Sequence, residues 1–389
     1  MKIRELISEK AHGIFQARRA LHRIPEKSFE EEKTSGFLAR ALEDLGLDVM
    51  TRVGRTGVVG TLVGRSPGPT VMIRADMDAL PIQEETGLPY SSEHPGMMHA
   101  CGHDANMAMV LGAAMVLSSM REDLRGSVKF VFQPAEEIAS GAVEMIRQGV
   151  LENPKVDYAL GAHLWPGIPE GSVGMRPGPL MAAMDRFDIE IIGRGGHGAM
   201  PHLCVDALDV GVQLVNALQR IVSRQMNPID PAVVTVGTFQ AGSAFNIIAE
   251  RALLSGTTRT FRRDVWEGWE ERIRGIVEGV CSSMGAGYKL SYTRGCPPLA
   301  NDPGVTERLS KIAAKVVGDS RVVKPDPTMT GEDMAWYLER VPGCYFFLGV
   351  GKEGSAALHN SRFQFEEYVL LLGVEVFCRA VLDLTQSEA

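Results

Sequence analysis

The stretch HACGHDAN, residues 99–106, brings a cysteine, two histidines and an acid together in a short span. Cys101 and His103 are two positions apart, so both side chains can converge on one site. Thiolate and imidazole are typical ligands of zinc and neighbouring divalent ions. A single cysteine in apolar surroundings is more often a packed core residue. A metal site is therefore indicated only if other parts of the chain supply further ligands.

Further candidate ligands follow apolar runs that are typical of buried strands. The runs TVMIRAD, SVKFVF, VDYALGAH and GCYFFLGVG each end in, or lead to, acidic or imidazole side chains. A charged group at the end of a buried strand needs a partner, because desolvating the charge alone is costly. A metal cation is such a partner. The side chains concerned are Asp76, Asp78, Glu136, Glu137, His163 and His359.

A ligand set of cysteine, histidine and glutamate suits two divalent ions about 3.5–4 Å apart. The adjacent Glu136 and Glu137 suggest a division of labour, in which one binds metal and the other takes a proton from water between the ions. Asp76 and Asp78 would lie behind the ligands and hold their imidazoles by hydrogen bonds. The predicted chemistry is hydrolysis of an unreactive carbonyl compound, with an amide as the expected substrate.

The elements that would position these residues alternate along much of the chain. Short β-branched runs such as GVVGTLVG, TVMIRAD and SVKFVF are separated by helical patterns. This alternation predicts the α/β class, with a mostly parallel sheet covered by helices on both faces. Functional residues in such sheets gather beyond the carboxyl ends of the strands. Near the start of the chain, Ser28 and Glu31 have the spacing of a capping box, which predicts the start of a second helix.

Between residues 184 and 294 the pattern changes. RFDIEIIG alternates apolar and polar residues and is followed by a long helical pattern, two strand patterns, a second helix and the strand YKLSYTR. This β-α-β-β-α-β order predicts a smaller α+β domain of the ferredoxin-like type. We therefore predict a catalytic domain formed by residues 1–183 and 295–389, interrupted by an inserted domain at 184–294.

Bulk properties narrow the function classes. The length of 389 residues favours two domains, and the net charge of −8 argues against nonspecific binding to nucleic acid. The longest nearly apolar run, 107–117, is too short to cross a membrane, and MKIRELISEK lacks the apolar core of a signal peptide. Six cysteines without paired spacing predict free thiols. We expect a cytoplasmic protein without nucleic-acid or membrane partners.

Other functions fit the sequence less well. GRGGHG, residues 193–198, has the spacing of a dinucleotide-binding loop, but Pro201 interrupts the helix that should follow and the region 214–218 offers no acid. A thiol-redox role for Cys101 would need a resolving cysteine, and the next in sequence is Cys204. A noncatalytic metal- or ligand-binding protein stays an alternative, although a structural site closes its coordination and needs no base such as Glu136.

Seven ordered motifs give the chain a specific resemblance. They are RADMDALP, MHACGHD, FQPAEE, GAHLWP, GRGGHGAMPH, AFNIIAE and LHNSRF, and they span residues 74–363. With these motifs the chain resembles the metal-dependent aminoacylase and carboxypeptidase superfamily, and within it the hippurate hydrolase and N-acyl-amino-acid amidohydrolase subgroup. The resemblance implies a catalytic domain with two divalent metal ions and an inserted lid that also forms a homodimer interface.

The resemblance also implies roles for individual residues. Glu136 is the implied general base, which later protonates the leaving amine. Asp78 occupies the position of an aspartate behind the ligands, and Asp76 stands where other branches of the superfamily have a metal-binding histidine. The implied ligands of the two metal ions are Cys101, His103, Glu137, His163 and His359.

In the inserted domain, the resemblance implies three residues that contact the substrate. His197 matches the residue that relatives present to the substrate carbonyl, often from the partner subunit, where it would stabilise the oxyanion. Asn246 and Arg259 match positions that hold the substrate carboxylate, for which a guanidinium fork is well suited. The chain departs from the family pattern at Ala207 and Ala249, where relatives commonly have proline.

Together these observations predict an amidohydrolase that cleaves an N-acyl amino acid into a carboxylic acid and a free amino acid. The metal ions could be zinc, manganese, cobalt or nickel, because the mixed ligand set accepts all of them. A dipeptidase or carboxypeptidase with the same metal centre remains open. The acyl pocket would consist of ordinary side chains, such as Met175, Met181, Leu203 and Phe245, that do not distinguish these substrates.

Overall fold

The computed structural model describes residues 2–386, so residue 1 and residues 387–389 of the predicted catalytic domain lie outside the described part. The helices are α1 (Lys2–Arg23), α2 (Glu32–Asp44), α3 (His103–Ser118), α4 (Gly141–Arg147), α5 (Ala207–Arg220), α6 (Arg263–Glu267), α7 (Trp269–Ser283), α8 (Pro303–Val317), α9 (Ala335–Leu338) and α10 (Val369–Gln386). The strands of the first half are β1 (Asp48–Val53), β2 (Gly57–Val63), β3 (Ser66–Asp76), β4 (Arg125–Gln133), β5 (Tyr158–Pro169), β6 (Val173–Gly174), β7 (Gly178–Met181) and β8 (Ala183–Ile192). Those of the second half are β9 (Gly196–His197), β10 (Ala232–Ala241), β11 (Ile247–Ile248), β12 (Arg251–Thr260), β13 (Gly287–Cys296), β14 (Leu299–Asn301), β15 (Val322–Val323) and β16 (Gly343–Gly351).

The larger of two compact units comprises Met1–Leu180, Ala300–Asp326 and Asp333–Ala389. Its eight-stranded sheet has the order β1-β2-β4-β3-β5-β16-β6-β15. The central pairings of β3 with β4, β3 with β5 and β5 with β16 are parallel. Antiparallel pairings occur towards the edges, between β1 and β2, β2 and β4, and β16 and β6. The predicted α/β fold with a mostly parallel sheet is therefore confirmed.

The strands in the middle of this sheet are apolar at consecutive positions, which fits a sheet that is covered on both faces. Every residue of β4 except the first is buried, and β16 is buried at every position but its last. Burial at consecutive rather than alternate positions is typical of a strand between two layers of helices. Nearly all of α3 is buried as well, and α1 and α10 pack against it. The helix that begins at His103 is therefore anchored in the core.

The smaller unit comprises Met181–Leu299 and Pro327–Glu332. Its four-stranded sheet has the order β10-β12-β8-β13 with antiparallel pairings throughout. β8 alternates buried and more exposed residues, as expected for a strand with one face in a core. The succession β8-α5-β10-β12-α7-β13 is that of a ferredoxin-like domain, with the ribbon of β9 and β11 added to it. The role of this unit as a lid and dimerisation domain stays a prediction.

The start of α2 differs from the capping box that the sequence predicts. The helix begins at Glu32, and the preceding Glu31 makes no side-chain capping hydrogen bond. Glu26 takes that role, because its carboxylate accepts two backbone N–H groups of the first turn at 3.1 and 2.9 Å. The side chains of Ser28 and Glu31 instead bond to residues that are distant in sequence. The capping-box prediction is therefore wrong, because tertiary partners compete with the local ones.

Candidate metal centre and active site

The carboxyl-terminal edge of the large sheet brings the candidate ligands together. β3 ends at Asp76, β4 ends just before Glu136, and β5 contains His163. The loop that carries Cys101 leads into α3, and Gly102 adopts a φ of 85°, which favours glycine. Because neighbouring parallel strands end on the same side of a sheet, loops that are far apart in sequence meet there.

Five potential ligand side chains form one cluster. His359 Nε2 lies 3.3 Å from Cys101 Sγ and 3.6 Å from Glu137 Oε1. His163 Nε2 lies 3.5 Å from Cys101 Sγ, and His103 Nε2 lies 3.9 Å from Glu137 Oε1. The five side chains belong to overlapping groups of three, and within each group the ligand atoms all lie within 4.8 Å of one another. All five residues that the sequence proposed as metal ligands therefore lie together.

Backbone carbonyls fix the orientation of two of these imidazoles. His103 Nδ1 donates to the carbonyl oxygen of Asp78 at 2.8 Å, and His163 Nδ1 donates to that of Leu164 at 2.7 Å. Because a carbonyl only accepts, each Nδ1 must carry the proton, so Nε2 is the atom available for a metal ion. Hydrogen bonds of this kind are usual behind metal-binding histidines.

The carboxylate of Asp78 supports the neighbouring acidic turn. It accepts the backbone N–H groups of Glu136 and Glu137 at 3.0 and 3.1 Å, and the Ser28 hydroxyl at 2.6 Å. Burial opposes ionisation of Asp78, but the hydrogen bond and the charge of His103 outweigh it and lower its pKa. Asp78 therefore lies behind the cluster, where its carbonyl contacts His103 and its carboxylate holds the turn that carries the glutamates.

Asp76 is fully buried and is held by a second set of partners. Its carboxylate accepts from Arg74 Nη1 at 2.9 Å and from Asn106 Nδ2 at 2.8 Å, and Oδ1 lies 3.8 Å from His103 Nε2. Burial opposes ionisation, but the positive charges of His103 and Arg74 outweigh it and lower the pKa of Asp76 to about 2. Asp76 is thus a buried anion beside the ligand cluster.

The donor set of the cluster fits a divalent cation. Burial raises the pKa of the Cys101 thiol well above its usual value and raises the pKa of Glu137 to about 7. Burial also disfavours the charged form of His103, but the negative charge of Asp76 and the hydrogen bond with Asp78 outweigh it and raise the pKa of His103 well above the usual range. A metal ion displaces such protons, because thiolate, neutral imidazole and carboxylate are the ligand forms. Across residues 2–386, His103 Nε2 and Glu137 Oε1 are buried without a hydrogen-bond partner.

A buried network around Asp104 lies beside the cluster and was not predicted from the sequence. Asp104 Oδ2 accepts from Arg18 Nε at 2.7 Å and from His22 Nδ1 at 2.9 Å. Arg18 also donates to the Tyr90 hydroxyl at 2.7 Å. Arg18 and His22 lie four residues apart on the buried face of α1, which also carries Ile14 and Leu21. Two polar residues on an apolar helix face were the available signal for buried partners.

The smaller unit contains the three predicted substrate-binding residues. His197 is exposed on β9 and pairs with Ile247 of β11, and the carbonyl of the neighbouring Asn246 accepts the N–H of Gly198 at 2.9 Å. His197 and Asn246 therefore lie close together. Arg259 lies on β12 of the four-stranded sheet, half-buried, and donates to the Met329 carbonyl at 3.1 Å.

The two departures from the family pattern contact each other. The N–H of Ala207 donates to the carbonyl of Ala249 at 3.0 Å. Proline at position 207 would have no N–H to donate, so this hydrogen bond depends on the departure. The bond joins the start of α5 to the segment after β11, within the unit that carries His197.

The fold and the site together are those of an α/β protein in which a largely buried cluster of potential metal ligands lies beside the additional carboxylate of Glu136. The sequence matches the peptidase family M20/M25/M40 over residues 72–383. The chain belongs to this family and is a metal-dependent hydrolase of its amidohydrolase and peptidase type.

Known relatives agree with this assignment. The chain is 46% identical over 305 residues to an N-acyl-L-amino acid amidohydrolase of Geobacillus stearothermophilus, covering 77% of this chain and 81% of the relative. It is 38% identical over 379 residues to thermostable carboxypeptidase 1 of Saccharolobus solfataricus, covering 96% and 95%. A crystal structure of a dinuclear metal-binding peptidase of the M20 family from Bacillus subtilis has a TM-score of 0.82 at 33% identity, covering 99% of this chain and all of that one. Within residues 2–386, none of the helices is long and apolar enough to cross a lipid bilayer.

Proposed function

We propose that this protein hydrolyses the amide bond of N-acyl amino acids with two divalent metal ions. The observation that carries the proposal is Glu136, whose Oε2 lies 4.0 Å from Nε2 of the candidate ligand His103. A site that only bound metal would not need an additional acid at this place. The similarity to an N-acyl-L-amino acid amidohydrolase supports this substrate class.

The metal ions would be held by the five clustered side chains. When bound, divalent ions of this kind acidify water and polarise the substrate carbonyl. The mixture of thiolate, imidazole and carboxylate donors is compatible with zinc, manganese, cobalt or nickel. The proposed ligands are Cys101, His103, Glu137, His163 and His359.

Glu136 would act as the general base and then as the general acid. Its backbone N–H is held by Asp78 at 3.0 Å, so its side chain starts from a fixed point next to the cluster. In the first step its carboxylate takes a proton from the attacking water. In the second step the same carboxyl group returns this proton to the leaving amine nitrogen, which makes the amine a good leaving group.

Residues of the smaller unit would bind the rest of the substrate. His197 would donate a hydrogen bond to the oxyanion that develops on the substrate carbonyl. Asn246 and Arg259 would bind the carboxylate of the amino acid, so we expect substrates that lack this group to be hydrolysed poorly. His197 would act either on the active site of its own subunit or on that of a partner subunit. Mixed dimers of two inactive variants distinguish these two cases.

We also propose that the protein is a homodimer formed through the smaller unit. Its surface exposes apolar side chains on α5 and on neighbouring strands, including Val212, Phe239 and Leu253. β10 is an edge strand of the four-stranded sheet, and edge strands of this kind often pair with a second chain.

All six cysteines are free, which supports a reducing, cytoplasmic location.

A dipeptidase or carboxypeptidase with the same metal centre is the second candidate function. The similarity to thermostable carboxypeptidase 1 supports it. Both activities would use the same base and the same ligands, so they differ only in the acyl group that is accepted. Peptide substrates and simple acyl amino acids therefore have to be compared on one enzyme preparation.

The decisive experiment measures the free amino acid released from N-acetyl, N-benzoyl and dipeptide substrates. We expect hydrolysis of acyl amino acids that stops after chelation and returns with added zinc or manganese. Glu136→Gln should keep the metal content and lose most turnover. Hydrolysis of dipeptides alone would favour the second candidate, and wild-type turnover by Glu136→Gln would remove Glu136 from its proposed role.

A further inference from the structure

Two buried carboxylates hold three successive N–H groups of the turn that carries the glutamates. Asp78 accepts those of Glu136 and Glu137, and Glu31 Oε1 accepts that of Ala135 at 3.0 Å. Ala135 has a φ of 54°, which is uncommon for a residue other than glycine. A turn in this conformation persists only when its surroundings determine it. The contact with Glu31 is therefore a candidate support for the geometry of the active site.

The position of Glu31 is itself fixed by burial and by a second partner. The residue is fully buried, and its Oε2 accepts the hydroxyl of the buried Thr56 at 2.5 Å. Both carboxylate oxygens of Glu31 therefore accept hydrogen bonds, one from Thr56 just before β2 and one from Ala135 in the turn. Burial raises the pKa of Glu31 to about 7, so keeping an acid here has a cost that a purely apolar core would avoid.

A role in starting α2 does not explain Glu31. Its side chain makes no capping hydrogen bond, and the carboxylate of Glu26 accepts the N–H groups of the first turn. A role in packing alone does not explain it either, because an apolar side chain would fill the same volume without desolvating a carboxyl group. Two hydrogen bonds remain, one from the Thr56 hydroxyl and one from the N–H of Ala135, and only the second reaches the turn that carries Glu136.

We infer that Glu31 is a positioning residue, which sets the placement of Glu136 and Glu137 by fixing the backbone of Ala135. The inference rests on the proposed function, in which Glu136 transfers protons and Glu137 binds metal. What matters is the reach of the side chain to the N–H of Ala135, together with an acceptor oxygen at its end. Glutamine has both, since its amide oxygen can accept from Ala135 while its NH₂ group donates to the Thr56 hydroxyl. Aspartate keeps the charge but is one methylene too short.

The test compares Glu31→Gln, Glu31→Asp and Glu31→Ala with the wild type. Three quantities are measured on each: bound metal per chain after dialysis, the visible absorption spectrum of the cobalt-loaded protein, and kcat and KM for N-acyl amino acids. The control is Asp302→Ala, which removes a carboxylate that accepts the N–H of Val305 at 2.8 Å at the start of α8. Circular dichroism confirms that each variant is folded before it is compared.

We expect Glu31→Ala and Glu31→Asp to lose about 10–100-fold in kcat or in metal affinity, as is usual when a residue behind a metal site is removed. KM should change little, and the cobalt spectrum should shift because Glu137 is displaced. Glu31→Gln should resemble the wild type in all three quantities, and Asp302→Ala should do so as well.

Other outcomes would overturn the inference. A wild-type cobalt spectrum and wild-type kcat in Glu31→Asp would show that reach to Ala135 is unimportant. A loss in Glu31→Gln equal to that in Glu31→Ala would show that charge rather than the hydrogen bond is needed. If the wild type hydrolyses none of the substrates, the proposed function fails, but metal content and the cobalt spectrum still test whether Glu31 positions Glu137.

Discussion

Removing the guanidinium of Arg18 should destabilise the region around α1 and α3 strongly. The side chains of Arg18 and Asp104 are 2% and 1% exposed, and their hydrogen bond is 2.7 Å long. In Arg18→Met, the carboxylate of Asp104 would stay buried with His22 as its remaining strong partner. Breaking a buried ion pair by removing one partner costs about 3–5 kcal/mol. We expect a loss of this size.

Companion variants show whether the ion pair between Arg18 and Asp104 causes the loss of stability. Asp104→Asn should cost less, about 1.5–3 kcal/mol for a hydrogen bond to a charged group, because Arg18 keeps its contacts with Tyr90 and Glu367. The double variant should cost less than the sum of the two single ones by about 0.5–3 kcal/mol.

Burial opposes ionisation of Asp104, but Arg18 and His22 outweigh it and hold its pKa well below the usual range. Its contribution is therefore present at neutral pH and is lost as pH falls below the unfolded pKa of about 3.9.

Hydrogen exchange is the appropriate assay, because a chain with two compact units need not unfold in one step. Exchange of amides in peptides from α1 and α3 gives the free energy of local opening. The experiment is done on metal-loaded protein, so that changes in metal content do not enter the comparison. A loss below about 1 kcal/mol in Arg18→Met, or strict additivity in the double variant, would refute the assigned role of the pair.

Three further predictions concern the site and its support. Cys101→Ser should bind less metal per chain after dialysis, because a hydroxyl ionises far less readily than a thiol; full metal content would remove Cys101 from the ligand set. Arg259→Lys should raise KM with little change in kcat, because an ammonium lacks the planar fork that binds a carboxylate; steady-state kinetics check this, and an unchanged KM would count against substrate binding. Burial raises the pKa of Glu31 from 4.5 to about 7, so the folded state binds more protons than the unfolded state between these values and stability falls as pH rises through this window. Hydrogen exchange of metal-loaded protein at several pH values should show a weaker decline of stability with pH in Glu31→Gln than in the wild type, and equal slopes would contradict the prediction.

The candidate ligands could be predicted because their signals are local. TVMIRAD, SVKFVF and VDYALGAH each show a buried strand directly, and the polar residue at or after the end identifies where that strand delivers a charge. Parallel strands then bring their carboxyl ends to one edge without any further information. The inserted ferredoxin-like topology was predictable for a similar reason, because each of its strands and helices shows its own periodicity.

The supporting residues could not be predicted because their partners are far away in sequence. Ser28 and Glu31 fit a capping box locally, and only the folded chain shows that Asp78, Thr56 and Ala135 compete for them. Local spacing contains no information on such partners, and a hydrogen bond to a buried partner can outweigh a cap of about 1 kcal/mol. The same holds for the network of Asp104, which links helices that are separated by about 80 residues.

The backbone, rather than the number of acids, determines which carboxylates are available to a metal ion. The positive φ of Ala135 lets N–H groups of consecutive residues be shared by two carboxylates, and such groups attract anions. Glu31 and Asp78 satisfy them, so their oxygens are already used by the protein. Glu137 Oε1, in contrast, is buried without a hydrogen-bond partner among the described residues. Acids that accept hydrogen bonds from a turn and acids that we propose to bind a cation therefore have the same chemical identity but different backbone surroundings, and the partners of each oxygen distinguish them.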